Sequence, residues 1–326
     1  MPQTVQPFFR TALAPLCLAL LAPGSFACEA PPPAVHDIDA NRYYTDARSS
    51  IVDPALKARN EAAVKPVNDY LDGVARAADA WQRGGKPADA QCALGWLQAW
   101  AEGGGMLGTM TTNQSWYTRK WTLSGLALSY ARVQKAATPA QRQAIEPWLR
   151  QLADLTIAHA DAHKGVRNNH YYWEGLAITA TGAVTGEARY LAWGRKVFDH
   201  AMGKIQPDGS LPLEVARAGK ALSYHLYAAA PLVLMASILD LQHPALDRLV
   251  RFSAANVADP SALQRLAGAE QEKPSRMPGW VAIYNRHATQ PLSDEAPPAN
   301  NWDARMGGDR SLANPLEHVR VAQAAT

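Results

Sequence analysis

The sequence predicts an all-α fold, a stack or ring of helical hairpins, on three observations. From about Pro54 onward, apolar residues recur at three- and four-residue spacing. Hardly any segment shows the strict alternation of a half-buried strand. The helical stretches are Ala-rich and are joined by short Gly, Pro and Asp turns. With 326 residues, 48% hydrophobic and 19% charged, the composition is that of an ordinary globular chain. No linker divides it, so one large domain is expected; the sequence leaves the oligomeric state open, a monomer being the simplest expectation.

Each element has its own signals. The start, "MPQTVQPFFR" followed by "TALAPLCLALLA" and "PGSFA", reads as a secretory signal over residues 1–27, cleaved after Ala27. The apolar run is too short to span a bilayer. A lipid anchor at Cys28 is the alternative, and Phe26 before Ala27 suits it poorly. The mature domain then covers 28–326, for a periplasmic or secreted protein. Its first stretch is a proline-rich, aromatic arm. Helices follow in "ALKARNEAAVKPVNDYLDGVARAADAWQR", broken at Gly84-Gly85, in "ADAQCALGWLQAWAEGGGML" and in "QSWYTRKWTLSGLALSYARVQ". A fourth opens on the Thr138-Pro139 start signal. Further helices are read at "GLAITATGAVT", "EARYLAWGRKVFDHAMGKI", "ALSYHLYAAAPLVLMASILDL" and "PALDRLVRFSAANV". From about Gln290 the chain is polar and irregular and is expected to wrap the outside.

Charge and motifs narrow the chemistry. The formal net charge of +3 permits an acidic partner, and the lack of a Lys/Arg cluster argues against nucleic acid. Cys17 leaves with the signal. Cys28 and Cys92 remain as an even pair in an oxidising compartment, where a disulfide is the simple expectation and two free thiols the alternative. No HExxH, Cys-x-x-Cys or GxSxG occurs, and the one carboxylate beside His159 and His163, Asp161, faces elsewhere on a helix. No metal or cofactor is expected.

Two stretches stand out. "NNHYYW" at 168–173 gathers amides, an imidazole and aromatic rings. In "DGSLPLEVARAGKALSYHLY" at 208–227, Arg217 and Tyr224 stand two helical turns apart if the helix is continuous. One face would then carry a guanidinium and a phenol, a proton shuttle whose pKa the cation lowers. The plain alternatives are a helix N-cap at Asn168 or Asn169 and a satisfied core histidine at His170.

With "CALGWLQAWAEGGGML", "QSWYTRKW", "PDGSLPLEVAR" and "DARMGG" in the same order, these motifs resemble the periplasmic alginate lyases, the poly(β-D-mannuronate) lyases of polysaccharide lyase family 5. The resemblance implies an α/α toroid, an incomplete α/α barrel, that cuts an anionic 1,4-linked polyuronate by metal-independent β-elimination. It assigns Asn169 and Arg217 to the uronate carboxylate, Tyr224 to the leaving oxygen and His170 to the role of base. Where the C5 proton and leaving oxygen share a face, Tyr224 does both jobs. The resemblance further implies sugar contacts by Gln114, Tyr117, Trp121, Trp173 and Arg305, a lid over about 36–53 carrying Arg42 and Tyr43, and a part for Lys220 in substrate choice. Tyr171 stands where relatives often have serine, and the arm "YYTDARSSIVDP" is unlike many alginate lyases. Poly-mannuronate is therefore the leading substrate, with glucuronan and hyaluronan open. The competing readings are a glycoside hydrolase using Asp208 and Glu214 and a non-catalytic polysaccharide-binding protein.

Overall fold

The structure is a computed structural model that describes Met1 and residues 28–163, 165–272, 277–292 and 301–318. The expected signal segment, but for Met1, lies outside the described residues. Helices dominate: α1 (Pro54–Gly84), α2 (Pro87–Glu102), α3 (Asn113–Val133), α4 (Pro139–Ala162), α5 (Asn169–Thr185), α6 (Ala188–Met202), α7 (Pro212–Val215), α8 (Ala221–Ile238), α9 (Pro244–Ala258), α10 (Ser261–Ala267) and α11 (Trp280–His287). Two short strands, β1 (Trp302–Asp303) and β2 (Gly308–Asp309), pair antiparallel.

Local chemistry sets the helix starts. Asp53 accepts from the backbone N–H groups of Ala55 and Leu56 ahead of Pro54. Thr138 and Gln141 form a reciprocal capping box. Proline occupies the first turn of α1, α2, α4 and α9, where a missing N–H costs nothing.

The helices form two layers. α1, α3, α5 and α8 pack side by side as an inner series, and α2, α4, α6 and α9 back them from outside. Burial follows this division. Every residue is buried in 122–133 of α3, 171–182 of α5 and 228–238 of α8. α6, by contrast, buries one stripe, Tyr190, Gly194, Val197, Phe198, Ala201 and Met202. This is the α/α toroid. Ala218–Ile238 is long and apolar enough to cross a membrane, but 83% of its apolar window is buried in the protein.

Cys28 and Cys92 form the expected disulfide, with Cα atoms 5.5 Å apart. It pins the arm to α2, and in the chain-entropy account closing such a loop stabilises by roughly 4 kcal/mol. The indole N–H groups of Trp96 and Trp100 donate to the carbonyls of Glu29 and Pro32. Ile38 pairs with Met110, and the Ala40 N–H donates to Ser115 Oγ. The arm thus reaches the open side of the inner series.

Three expectations need correction. "NHYYW" does not precede a helix; it is the first turn and more of α5, capped by Asn168, whose side chain accepts from the His170 N–H. The short helices α7, α10 and α11 went unread because four to eight residues carry too little periodicity. The C-terminal stretch does not simply wrap the outside. Ala304 and Met306 are buried, Ser124 Oγ donates to the Arg305 carbonyl at 2.7 Å, and the Asp309 N–H donates to Asp79. The hairpin turns inward because Gly125 has no side chain: a Cβ there would overlap the Ala304 carbonyl oxygen. Gly125→Ala, normally favourable in a helix by about 1 kcal/mol, is therefore expected to destabilise by about 1–3 kcal/mol. A lowered Tm, with a raised KM as Arg305 shifts, would bear this out.

Candidate active site

The inner helices and the arm enclose a cleft of about 850 Å³. Its lining includes Arg42, Lys57, Arg217, Lys220 and Arg305, against a single carboxylate, Glu61. Lys57 pairs with Glu61 at 3.4 Å and Lys220 with Glu272 at 2.8 Å. Arg42, Arg217 and Arg305 face no described carboxylate at salt-bridge distance. The cleft is a positive field awaiting anions.

α3 and α5 supply one wall. The rings of Tyr117 and His170 stack 3.6 Å apart at 12°. Beneath them lies buried Lys120, whose ammonium donates to the His170 carbonyl at 2.8 Å and to Glu174 at 3.1 Å and sits 4.5 Å from the Tyr117 ring. Burial, then the charges of Lys120 and Arg217, hold the His170 imidazole well below its ordinary pKa. It is neutral at neutral pH, and its Nδ1 has no described hydrogen-bond partner. That nitrogen is buried, and a fixed, uncharged ring that reaches the cleft wall is what a proton acceptor needs.

The opposite wall carries Tyr224. Its hydroxyl bonds the Tyr44 hydroxyl at 2.9 Å, and the Arg217 guanidinium lies 3.8 Å from its ring centroid. The helical continuity that would set them two turns apart is not there. α7 ends at Val215, a single 3-10 turn runs over Ala218–Lys220, and α8 begins at Ala221. The turn, with Ala218 at φ 51°, folds the guanidinium over the ring face and not beside the hydroxyl.

The expected site residues sort clearly. Arg42, Tyr43, Gln114, Tyr117, Trp121, His170, Arg217, Lys220, Tyr224 and Arg305 all line the cleft. Arg305 extends over the Trp121 ring at 4.7 Å. Trp173 does not line it: the side chain is 1% exposed and its indole N–H donates to the Tyr227 carbonyl, so it packs the core. Three residues on, it shares the His170 side of α5 but lies almost a turn deeper, where every residue of 171–182 is buried. Tyr171 also leaves the cleft, its ring edge-on to Trp193 and His200. Asn169 is wholly buried, its side-chain nitrogen 3.0 Å from both Glu214 oxygens.

The glycosidase pair is not assembled. Glu214 is 1% exposed and engaged by Asn169, while Asp208 is exposed and caps the Ser210 N–H. Among the described residues no three His, Cys, Asp or Glu side chains gather as metal ligands do. Sequence reading overlooked Tyr44, Lys120 and Tyr227, and named Glu214 only as half of a glycosidase pair. Nothing in "RYYTD" distinguishes Tyr44 from Tyr43, and Lys120 resembles any charge on a helix until its neighbours are known.

The family model described as alginate lyase matches residues 37–267. A polysaccharide lyase of Stenotrophomonas maltophilia (strain K279a) is 42% identical over 316 residues, 93% of this chain and 95% of the relative. An alginate lyase of Azotobacter vinelandii is 32% identical over 289 residues, 81% of this chain and 76% of the relative. Among solved structures, a Tyr-to-Phe variant of alginate lyase A1-III complexed with a tetrasaccharide aligns with a TM-score of 0.74 at 25% identity, over 93% of this chain and 90% of that one.

Proposed function

Because this chain belongs to the alginate lyase family and is a polysaccharide lyase acting on a polyuronate, we propose that poly-mannuronate is its preferred substrate, cut by β-elimination without a metal. The observation that carries this reading is the convergence of Arg217, neutral His170 and Tyr224 on one cationic cleft. A uronate C5 proton is barely acidic while the adjoining carboxylate is charged. Arg217 neutralises that carboxylate and holds the enolate-like charge that develops, aided by Arg305 from the C-terminal hairpin. The His170 imidazole takes the C5 proton, the C4–O bond breaks, and the Tyr224 hydroxyl protonates the departing oxygen. Where the proton and leaving oxygen share a face, Tyr224 does both and His170 helps hold the carboxylate.

Tyr44 donates to or accepts from Tyr224, so the arm completes the site from the lid side. Tyr117 and Trp121 offer ring surface to the sugars. The A1-III structure holds a tetrasaccharide in a variant that lacks one tyrosine hydroxyl, which fits a phenol serving chemistry more than binding. The Cys28–Cys92 bond supports an oxidising place of action, the periplasm or the medium.

Purified protein, assayed in chelator with poly-mannuronate, glucuronan and hyaluronan separately, tests all of this. An ultraviolet absorbance rise from the conjugated 4,5-unsaturated end is expected, fastest with poly-mannuronate. Another polymer leading would overturn the substrate; folded protein silent on all three would overturn the mechanism.

A further inference from the structure

One cation of the cleft wall is already held by a carboxylate of the chain itself. Lys220 lines the cleft with Arg217, and its N–H donates to the Arg217 carbonyl at 3.2 Å within the same tight turn. The Lys220 ammonium donates to both Glu272 oxygens, at 2.9 and 2.8 Å. The lysine side chain is 18% exposed and the glutamate 62%, so the pair stands where the wall meets solvent. Its position is built. The Glu272 N–H donates to the Gly219 carbonyl at 2.9 Å. Gln271 beside it is buried, accepts the Leu222 N–H at 2.9 Å and donates to the Ala218 carbonyl at 3.0 Å. Main-chain and buried contacts thus tie residues 271–272 to the turn on both sides of Lys220 and present the carboxylate to the ammonium.

This contact makes, with a side chain of the protein, the pairing that the cleft offers its substrate: a carboxylate on a cation. In a 1,4-linked polyuronate every ring carries a carboxylate. When Arg217 holds the one at the cut, Lys220, three residues on in the same turn, offers a cation to an adjoining ring. An exposed ion pair is worth little, because water and salt screen it. A uronate therefore displaces Glu272 at small cost, and the released carboxylate passes into water. We propose that Lys220 is the subsite for the carboxylate of a uronate adjoining the cut, and that Glu272 is its resident occupant, displaced by a charged ring and left in place by an uncharged one.

The consequence is for specificity. An uncharged ring, such as every second ring of hyaluronan, meets a lysine already paired and leaves no bare charge against it. A uronate ring gains the lysine but must first dislodge Glu272. The pair thus narrows the advantage that a homopolyuronate would otherwise hold over an alternating polymer.

The inference rests on the polyuronate lyase reading, and its test separates the two. Glu272→Gln keeps the size of the side chain, removes its charge and releases Lys220 to the cleft. KM for poly-mannuronate is expected to fall by about two- to fivefold, as the loss of an exposed competing pair allows. Taking a negative charge from near the cleft would by itself draw in an anionic polymer, so Lys220 decides between the causes. In a Lys220→Met background, Glu272→Gln is expected to leave KM where it was. Glu270→Gln, which removes the same charge from an exposed position two residues away, is expected to leave the wild-type KM where it was. No fall in KM, a fall that survives the loss of Lys220, or an equal fall with Glu270→Gln each overturns the inference, while wild-type product formation keeps the lyase reading. Calorimetry of oligo-mannuronate binding to Tyr224→Phe enzyme, with and without Glu272→Gln, needs no turnover. Binding tighter by the same two- to fivefold is expected, and equal affinity overturns the inference. Enzyme silent on every polymer would count against the lyase reading alone.

Discussion

Tyr224→Phe loses about 10³-fold or more in kcat, the upper range for a positioned acid–base group, while oligo-mannuronate affinity stays within about threefold. The reasoning is geometric. Phenylalanine keeps the ring on which the Arg217 guanidinium rests at 3.8 Å, so the cation and the cleft wall remain in place. Only the hydroxyl goes, and with it the 2.9 Å bond to Tyr44. In the proposed mechanism, ground-state contacts to the sugar run through arginines and rings, whereas proton delivery to the leaving oxygen runs through this one oxygen. Initial rates on poly-mannuronate, paired with calorimetric binding, decide the matter. Turnover near the wild-type rate would remove Tyr224 from the chemistry; a large loss of affinity would make it a binding group.

Arg217→Ala should damage both parameters. In the proposed mechanism the guanidinium meets the carboxylate in the ground state and again as charge builds on it, and charge-assisted hydrogen bonds contribute about 1.5–3 kcal/mol each. A KM increase of about tenfold with a kcat decrease of about 10²-fold is expected. Arg217→Lys falls between, because lysine restores the charge without the planar fork or the stacking on Tyr224. A change in KM alone would confine Arg217 to binding and shift the burden of charge stabilisation to Arg305. Steady-state kinetics of both variants distinguish these outcomes.

Much of this was legible in the chain. Helix periodicity, proline at first turns and the Thr138 cap signal are local, and each appears where local physics puts it. The cysteine pair was readable because only two remain once the signal segment is set aside. His170, Arg217 and Tyr224 were found because an imidazole, a guanidinium and a phenol stand in two short motifs, and those motifs hold their order against a known family. Residue type and order along the chain carry that much information.

Direction in space is not carried by the chain alone. Trp173 and Tyr171 flank Tyr172 in the same aromatic run as His170, yet the run is helical and α5 is enclosed by α3, α4, α6 and α8. Of that run only His170 reaches the cleft, because 100° per residue turns Tyr171 and Tyr172 toward other walls and Trp173, back on the same side, lies deeper in the enclosed part of α5. Arg217 meets Tyr224 through a 3-10 turn with a left-handed alanine, not through the two helical turns that counting residues suggests. Tyr44, Lys120 and Glu214 acquire their places only from partners 180, 50 and 45 residues away. Composition and spacing select the kinds of groups a uronate lyase needs. Which of them face the substrate is settled by long-range packing, since burial and hydrogen-bond partners exist only after the layers have closed on one another.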